Sequence, residues 1–267
     1  MDIRAVKFRV GSEWRVGGLY SPSGAKSAAA VLMLHGFPGV QQNEDIAAEL
    51  CRRGMAVFMP HFRGCWGSGG RFSVPGLFED ARIALRLLSH YHQVDPAHIG
   101  VLGYSVGGWV ALRLASQTPV AAVAAMAPAI PRKNGSADME YLRRKGKVIN
   151  LPSHEEIWRQ YQDAARADRP DAYVPRIAPA PLLFIQGLKD NLVPPASTDR
   201  LYELAGEPKQ IIRFPNEGHE FQEDRPAVIA AACGWLEAQL AEITAGRVRS
   251  AEKQEEIPEY VDLGGGD

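Results

Sequence analysis

Three residues of the types that together perform nucleophilic catalysis are spread along this 267-residue chain: Ser105, Asp190 and His219. Ser105 lies in Gly103-Tyr104-Ser105-Val106-Gly107-Gly108, a G-x-S-x-G pattern after the apolar run Ile99-Gly100-Val101-Leu102 and before the helix-like Trp109-Val110-Ala111-Leu112-Arg113-Leu114-Ala115. A serine at the end of a buried strand, wedged between glycines ahead of a helix, occupies a sharp turn that lifts its hydroxyl above the sheet. Without those flanks the pattern is an ordinary Gly/Ser-rich turn. The hydroxyl is a poor nucleophile at neutral pH, so it needs a base beside it and an acid that orients the base.

Asp190 and His219 stand where those partners are required. Asp190 follows the apolar Leu182-Leu183-Phe184-Ile185, within Gly187-Leu188-Lys189-Asp190-Asn191-Leu192-Val193-Pro194, and His219 follows the last strand-like run, within Pro215-Asn216-Glu217-Gly218-His219-Glu220-Phe221. The order Ser, Asp, His is the one associated with a strand-turn-helix nucleophile. Asp199 lies in a helix-like stretch where a carboxylate is a solvated charge, and Glu217 and Glu220 flank the histidine too closely to reach back to its Nδ1. His35, His61, His90, His92, His98 and His154 are not preceded by a late strand. Acyl attack also needs backbone donors for the oxyanion. The amide of Val106 opens the helix after the serine, where the helix dipole assists. The second donor is assigned to Phe37 in His35-Gly36-Phe37-Pro38-Gly39, since Pro38 has no N–H.

The elements around these residues alternate between strand and helix. Residues 5–20 read as an antiparallel hairpin, and Ala28 to Leu34 is a continuous apolar run of the kind buried on both faces. Asn43 to Arg53 has helical spacing stopped by Gly54; Met55 to Pro60 is a second buried strand that runs into the glycine-rich His61 to Gly70. An amphipathic helix follows Pro75 to about His92, and His98 to Tyr104 feeds the serine turn. Val120 to Met126, Pro181 to Gln186 and Ile211 to Phe214 are further strands, and Asp224 to Ile243 closes the series as a helix. Such alternation demands crossovers, hence a mostly parallel sheet with ligands at the carboxyl ends of its strands.

Residues 131–177 interrupt the alternation with a charged stretch carrying Tyr141, Trp158, Tyr161 and Tyr173, read as a lid at the carboxyl edge. Tyr141, Trp158, Trp66 and Trp109 are the candidates for lining a substrate pocket. From about residue 245 the chain turns polar and reads as a mobile tail, with Ile257, Pro258, Tyr260 and Val261 able to dock on the body or on a second copy.

A net charge of −1 leaves no electrostatic footprint for nucleic acid or anionic membrane. The charged N-terminal residues do not read as a secretory signal and no stretch approaches transmembrane length, so a cytoplasmic location is expected. Cys51, Cys65 and Cys233 are too far apart for a zinc site and odd in number, which suits a reducing compartment.

His35-Gly36, the turn at 103–108, Gly187 to Asp190 with Val193-Pro194, and Gly218-His219 together resemble the α/β-hydrolase superfamily over about residues 5–244. The narrower likeness is to its dienelactone-hydrolase-like and prolyl-oligopeptidase-like serine hydrolases. Relatives of that kind often carry Asp-x-Arg-Gly-x-Gly-x-Ser-x-Gly where this chain has His61 for the aspartate and Trp66 for the second glycine. The resemblance implies an α/β fold with a mostly parallel, doubly wound sheet of about eight strands, an N-terminal antiparallel hairpin and a small helical lid. It further implies a hydrolase domain over 1–244 with the lid at 131–177, a tail over 245–267, and no metal or organic cofactor. The activity implied is cleavage of a small-molecule carboxylic ester, or of a thioester or amide, through an acyl-enzyme. Transfer of the acyl group to another acceptor, hydrolysis of small peptides, and a non-catalytic binding protein on the same fold are the competing readings.

Overall fold

The computed structural model describes residues 1–23, 28–37, 43–92, 94–130, 150–167, 169–243 and 257–263. The apolar runs form the middle of a nine-stranded sheet: β1 (Asp2–Val10), β2 (Glu13–Ser21), β3 (Ala28–Leu34), β4 (Ala56–Pro60), β5 (Val94–Tyr104), β6 (Ala122–Met126), β7 (Leu182–Gly187), β8 (Lys209–Phe214) and β9 (Tyr260–Asp262). Their order across the sheet is β8-β7-β6-β5-β3-β4-β2-β1-β9. Strands β3 to β8 run parallel, whereas β1, β2 and β9 are joined antiparallel.

The helices are α1 (Glu44–Arg52), α2 (Gly76–Ser89), α3 (Val106–Ala115), α4 (His154–Ala167), α5 (Pro170–Tyr173), α6 (Pro195–Leu204) and α7 (Arg225–Ile243), with a 3-10 turn at Val174–Ile177. Because successive strand residues point to opposite faces, a run apolar at every position buries both. Leu32 and Val101 pack with α2, α3 and Leu201 of α6 on one side; Val31 and Leu102 pack with α1 and α7 on the other. The chain leaves β3 toward α1 and leaves the adjacent β5 toward α3, so the two exits diverge to opposite faces. Ligands of parallel sheets gather at a divergence of this kind, which falls here beyond Leu34 and its register partner Gly103.

The glycine-rich segment after β4 is fixed by a buried carboxylate. Asp80 of α2 accepts from Arg15 Nε at 3.0 Å, from Arg63 Nη2 at 2.8 Å, and from the Arg63 amide and Nε at 2.8 and 3.0 Å. Both Asp80 and Arg15 are buried, so each charge is stable there only because the other is present. The far side of the segment is stitched to the second half of the insertion: Phe72 N–H donates to the Asn150 carbonyl at 2.9 Å, and Asn150 N–H to the Gly64 carbonyl at 2.8 Å. Ile157 of α4 is buried, and Gln160 Oε1 accepts from Val74 N–H at 2.9 Å.

Within the tail, the stretch that carries Ile257, Pro258, Tyr260 and Val261 docks on the body of the chain. Residues 257–263 lie along β1, with Val261 opposite Lys7, Arg9 N–H donating to the Glu259 carbonyl and Leu263 N–H to the Ala5 carbonyl, both at 2.9 Å. Ion pairs Arg9–Glu259 at 2.8 Å and Arg4–Asp262 at 3.2 Å match the charges of the two strands. A sheet edge offers unpaired backbone groups to any extended segment of suitable side chains, and β9 takes that place. It is also the strand that brings the sheet to nine.

Replacing Asp80 with alanine leaves two guanidinium groups without their shared anion. Chemical denaturation is expected to show a loss of about 3–5 kcal/mol; a loss below about 1 kcal/mol, the worth of an exposed pair, would contradict this account of the loop.

Candidate active site

The residue after β5 is forced into an unusual backbone geometry. Ser105 has φ 54° and ψ −119°, outside the regions that a residue with a side chain ordinarily occupies. The surroundings hold it there: Ser105 N–H donates to the Met126 carbonyl at 2.8 Å, and its own carbonyl accepts from Trp109 and Ala129 at 3.1 and 2.9 Å. The turn closes so tightly that a Cβ on Gly103 would sit 2.2 Å from the Gly107 carbonyl oxygen, and one on Gly107 would sit 2.1 Å from that of Leu34. Both positions therefore exclude a side chain.

His219 lies over this turn. Its Nε2 is 2.9 Å from Ser105 Oγ and its Nδ1 is 2.8 Å from Asp190 Oδ2. A carboxylate only accepts, so Nδ1 carries the proton and Nε2 is left to accept from the serine hydroxyl. All three residues are buried, with exposures of 6 % for Ser105, 4 % for Asp190 and 7 % for His219. The loop after β7 shapes the carboxylate: Oδ1 accepts from the Leu192 and Val193 amides at 2.8 and 2.7 Å, which turns Oδ2 toward the imidazole.

Residues near the histidine fix its loop. Tyr104 O–H donates to the His219 carbonyl at 3.1 Å, its ring 5.3 Å from the imidazole. Glu217, 1 % exposed, accepts from the amides of Glu223, at 3.1 Å, and Asp224 just ahead of α7. Its backbone carbonyl accepts from Lys189 N–H at 2.9 Å, which ties the histidine loop to the aspartate loop. Glu217 thus anchors the loop, a role that its proximity to His219 in sequence does not reveal.

The segment after β3 passes directly beside the serine. A Cβ on Gly36 would lie 3.1 Å from Ser105 Cβ and 3.0 Å from the Tyr104 ring. His35 orients the next peptide. Its Nε2 accepts from Phe62 N–H at 3.0 Å, so Nδ1 carries the hydrogen and donates to the Gly36 carbonyl at 2.6 Å. In a trans peptide the carbonyl and the following N–H point in opposite directions. Phe37 N–H is therefore aimed away from the His35 ring. Ser105 spends its own amide on Met126, and Val106 follows as the first residue of α3, where a helix has no internal acceptor for its N–H groups.

The sequence profile of the alpha/beta hydrolase family matches residues 31–232, which run from within β3 to within α7. The chain belongs to the alpha/beta hydrolase family. An uncharacterised protein of Mycobacterium tuberculosis is 33% identical over 209 residues, covering 77% of this hydrolase and 68% of the relative. Among solved structures, Est1E of Butyrivibrio proteoclasticus with bound ferulic acid superposes with a TM-score of 0.72 at 17% identity, covering 88% of this chain and 99% of that one. An esterase of Pyrococcus furiosus does so with a TM-score of 0.69 at 21% identity, covering 90% and 91%. At those identities the likeness is one of fold.

The aromatic pocket candidates of the hydrolase fall in different places. Trp66, at a positive φ of 37°, packs edge-on against His35 with centroids 4.6 Å apart and against His61 at 5.3 Å. Trp109 is in the core beneath the serine turn, 2 % exposed, and α3 packs there on α5 and the 3-10 turn. Trp158 is half-buried on α4. Tyr141 lies outside the described residues, as does the first part of the insertion. Among the described residues no cluster of His, Cys, Asp or Glu is placed to hold a metal ion, and no helix is long and apolar enough to cross a membrane. Cys51, Cys65 and Cys233 are buried free thiols, and burial pushes the Cys233 thiol up to about 12.

Burial holds the His35 imidazole down at about 3, against an opposing pull from its bond to Gly36. Between pH 6.5 and about 3 the folded chain thus binds fewer protons at this site than the unfolded chain. Its contribution to stability is complete above 6.5 and is lost as pH falls, by up to about 1.4 kcal/mol per pH unit. The stability difference between wild type and His35→Gln, read from urea midpoints, should narrow from about pH 7 to about pH 5. A difference constant across that window would contradict a neutral His35.

Proposed function

We propose that this hydrolase cleaves a small-molecule carboxylic ester through an acyl-enzyme. The observation that carries the reading is the continuous pair of hydrogen bonds from Ser105 Oγ through His219 to Asp190, at 2.9 and 2.8 Å. As Ser105 Oγ attacks the ester carbonyl carbon, its proton passes to His219 Nε2, and Asp190 stabilises the imidazolium through the Nδ1 bond. The amides of Phe37 and Val106 meet the tetrahedral oxyanion. On collapse, the C–O bond to the leaving alcohol breaks and His219 delivers the proton to that oxygen. Water, deprotonated by His219, then attacks the acyl carbon; the bond to Ser105 Oγ breaks, His219 returns the proton to that oxygen, and the acid leaves.

The Pyrococcus esterase and the Butyrivibrio Est1E with its bound ferulic acid, which share this fold, support an ester over an amide as substrate. Trp66, packed on His35, is given a supporting place beside the serine rather than a part in lining the pocket. The acyl chain is left to the insertion, where Trp158 and Tyr141 are the aromatic candidates, with residues 131–177 acting as a lid.

Stopped-flow hydrolysis of p-nitrophenyl esters should give a burst of nitrophenol of about one equivalent per chain, the mark of an accumulating acyl-enzyme. Ser105→Ala should abolish the burst and lower kcat by about 10⁴-fold to 10⁶-fold, and Asp190→Asn should lower it by about 10⁴-fold. A normal burst in Ser105→Ala would refute the assignment. Release of an acylated alcohol in place of free acid, when a primary alcohol is present, would move the reading from hydrolysis to acyl transfer.

A further inference from the structure

Beneath the aspartate loop is a polar side chain that the mechanism leaves unused. Strand β7 reads Leu182-Leu183-Phe184-Ile185-Gln186-Gly187, and Gln186 is as buried as its apolar neighbours, at 0 % exposure. A buried amide must have partners, and this one finds them on both sides. Its Nε2 lies 3.0 Å from the Gly187 carbonyl, 3.2 Å from that of Val193 and 3.4 Å from Asp190 Oδ2. Those three oxygens only accept, so the nitrogen must face them and the amide cannot flip. Its Oε1 therefore points the other way, where Thr198 Oγ1 donates to it at 2.6 Å.

Gln186 thus spans the loop from its first residue, Gly187, through Asp190, to Val193 at its far end. The longest of its contacts falls on the same carboxylate oxygen that receives His219 Nδ1–H. Thr198 on α6, also 0 % exposed, sets the amide's orientation. We infer that Gln186, locked by the Thr198 hydroxyl, is a positioning residue that fixes the Asp190 carboxylate against His219. This rests on the serine-hydrolase reading above. Without the Thr198 hydroxyl, Gln186 Oε1 is buried with no donor, and the amide is freed to tilt away from the loop. The carboxylate and the imidazole then lose alignment with the serine, which affects bond making rather than substrate binding.

The test compares Thr198→Val, which replaces the hydroxyl with a methyl of the same shape, with Thr198→Ser, which keeps the hydroxyl and discards the methyl. Steady-state kinetics on a p-nitrophenyl ester should show kcat reduced about tenfold in Thr198→Val with KM unchanged, and restored to the wild-type value in Thr198→Ser. Gln186→Met, close in shape but without the amide, should lose on the order of 10²-fold in kcat, the cost of a misplacement of about 1 Å at a reacting centre. Either variant, with its thermal midpoint recorded to show that it is folded, suffices. A packing role would reverse the threonine pattern, with Ser impaired and Val normal, and that result overturns the inference. So does a normal kcat in Thr198→Val or Gln186→Met. A wild-type protein that gives no burst removes the ester reading itself, and this inference with it.

Discussion

The hydrogen-bonded line from Asp190 through His219 to Ser105 joins the ends of three separate strands, β7, β8 and β5, and it tolerates little error in any of them. Two bonds under 3 Å on opposite nitrogens of one ring fix both the position and the tilt of the imidazole. The rest of the molecule can be understood as what keeps those strand ends at that spacing. The parallel sheet aligns β5 to β8 in consecutive register, and the crossover helices bury both faces of the apolar strands. The energy for holding Ser105 at φ 54° comes from that packing, since the conformation is unfavourable on its own.

Around the line stands a set of buried polar side chains, each with its partners in place. Asp80 holds the glycine-rich loop, His35 directs the Gly36–Phe37 peptide, and Glu217 secures the histidine loop to the start of α7. Each would be costly if a single partner were removed, because the group left behind is out of reach of water. Rigidity at the site therefore depends on pairs: Arg15 with Asp80, Phe62 with His35, Thr198 with Gln186. Trp66 adds an aromatic face to the same wall by packing on the His35 ring.

Much of this was legible in the amino-acid sequence where the cause is local. Ala28 to Leu34 and Leu182 to Ile185 announce themselves as buried strands because both faces are apolar, and Gly103 and Gly107 mark a turn too tight for a side chain. Asp190 and His219 could be picked out because each follows such a strand. What stayed hidden depends on pairing between distant segments. That β9 closes on β1 follows from matched charges on residues more than two hundred positions apart, as in Arg4 with Asp262, while the composition of the tail marks Tyr260 and Val261 as able to dock without saying on what. His35 looks like a strand-terminating residue until Phe62 N–H is brought to it by the β3–β4 pairing, and Gln186 looks like an anomaly in an apolar strand until Thr198 and the aspartate loop surround it.

The central claim is that Ser105 is the activated nucleophile of this site. Intact-mass spectrometry after treatment with a fluorophosphonate reads this directly, because the probe phosphonylates a hydroxyl only where a base and an oxyanion site are assembled around it. The account predicts a single adduct per folded chain, mapped by peptide sequencing to Ser105 and absent after denaturation. An unmodified folded protein, or an adduct on any other residue, would contradict it.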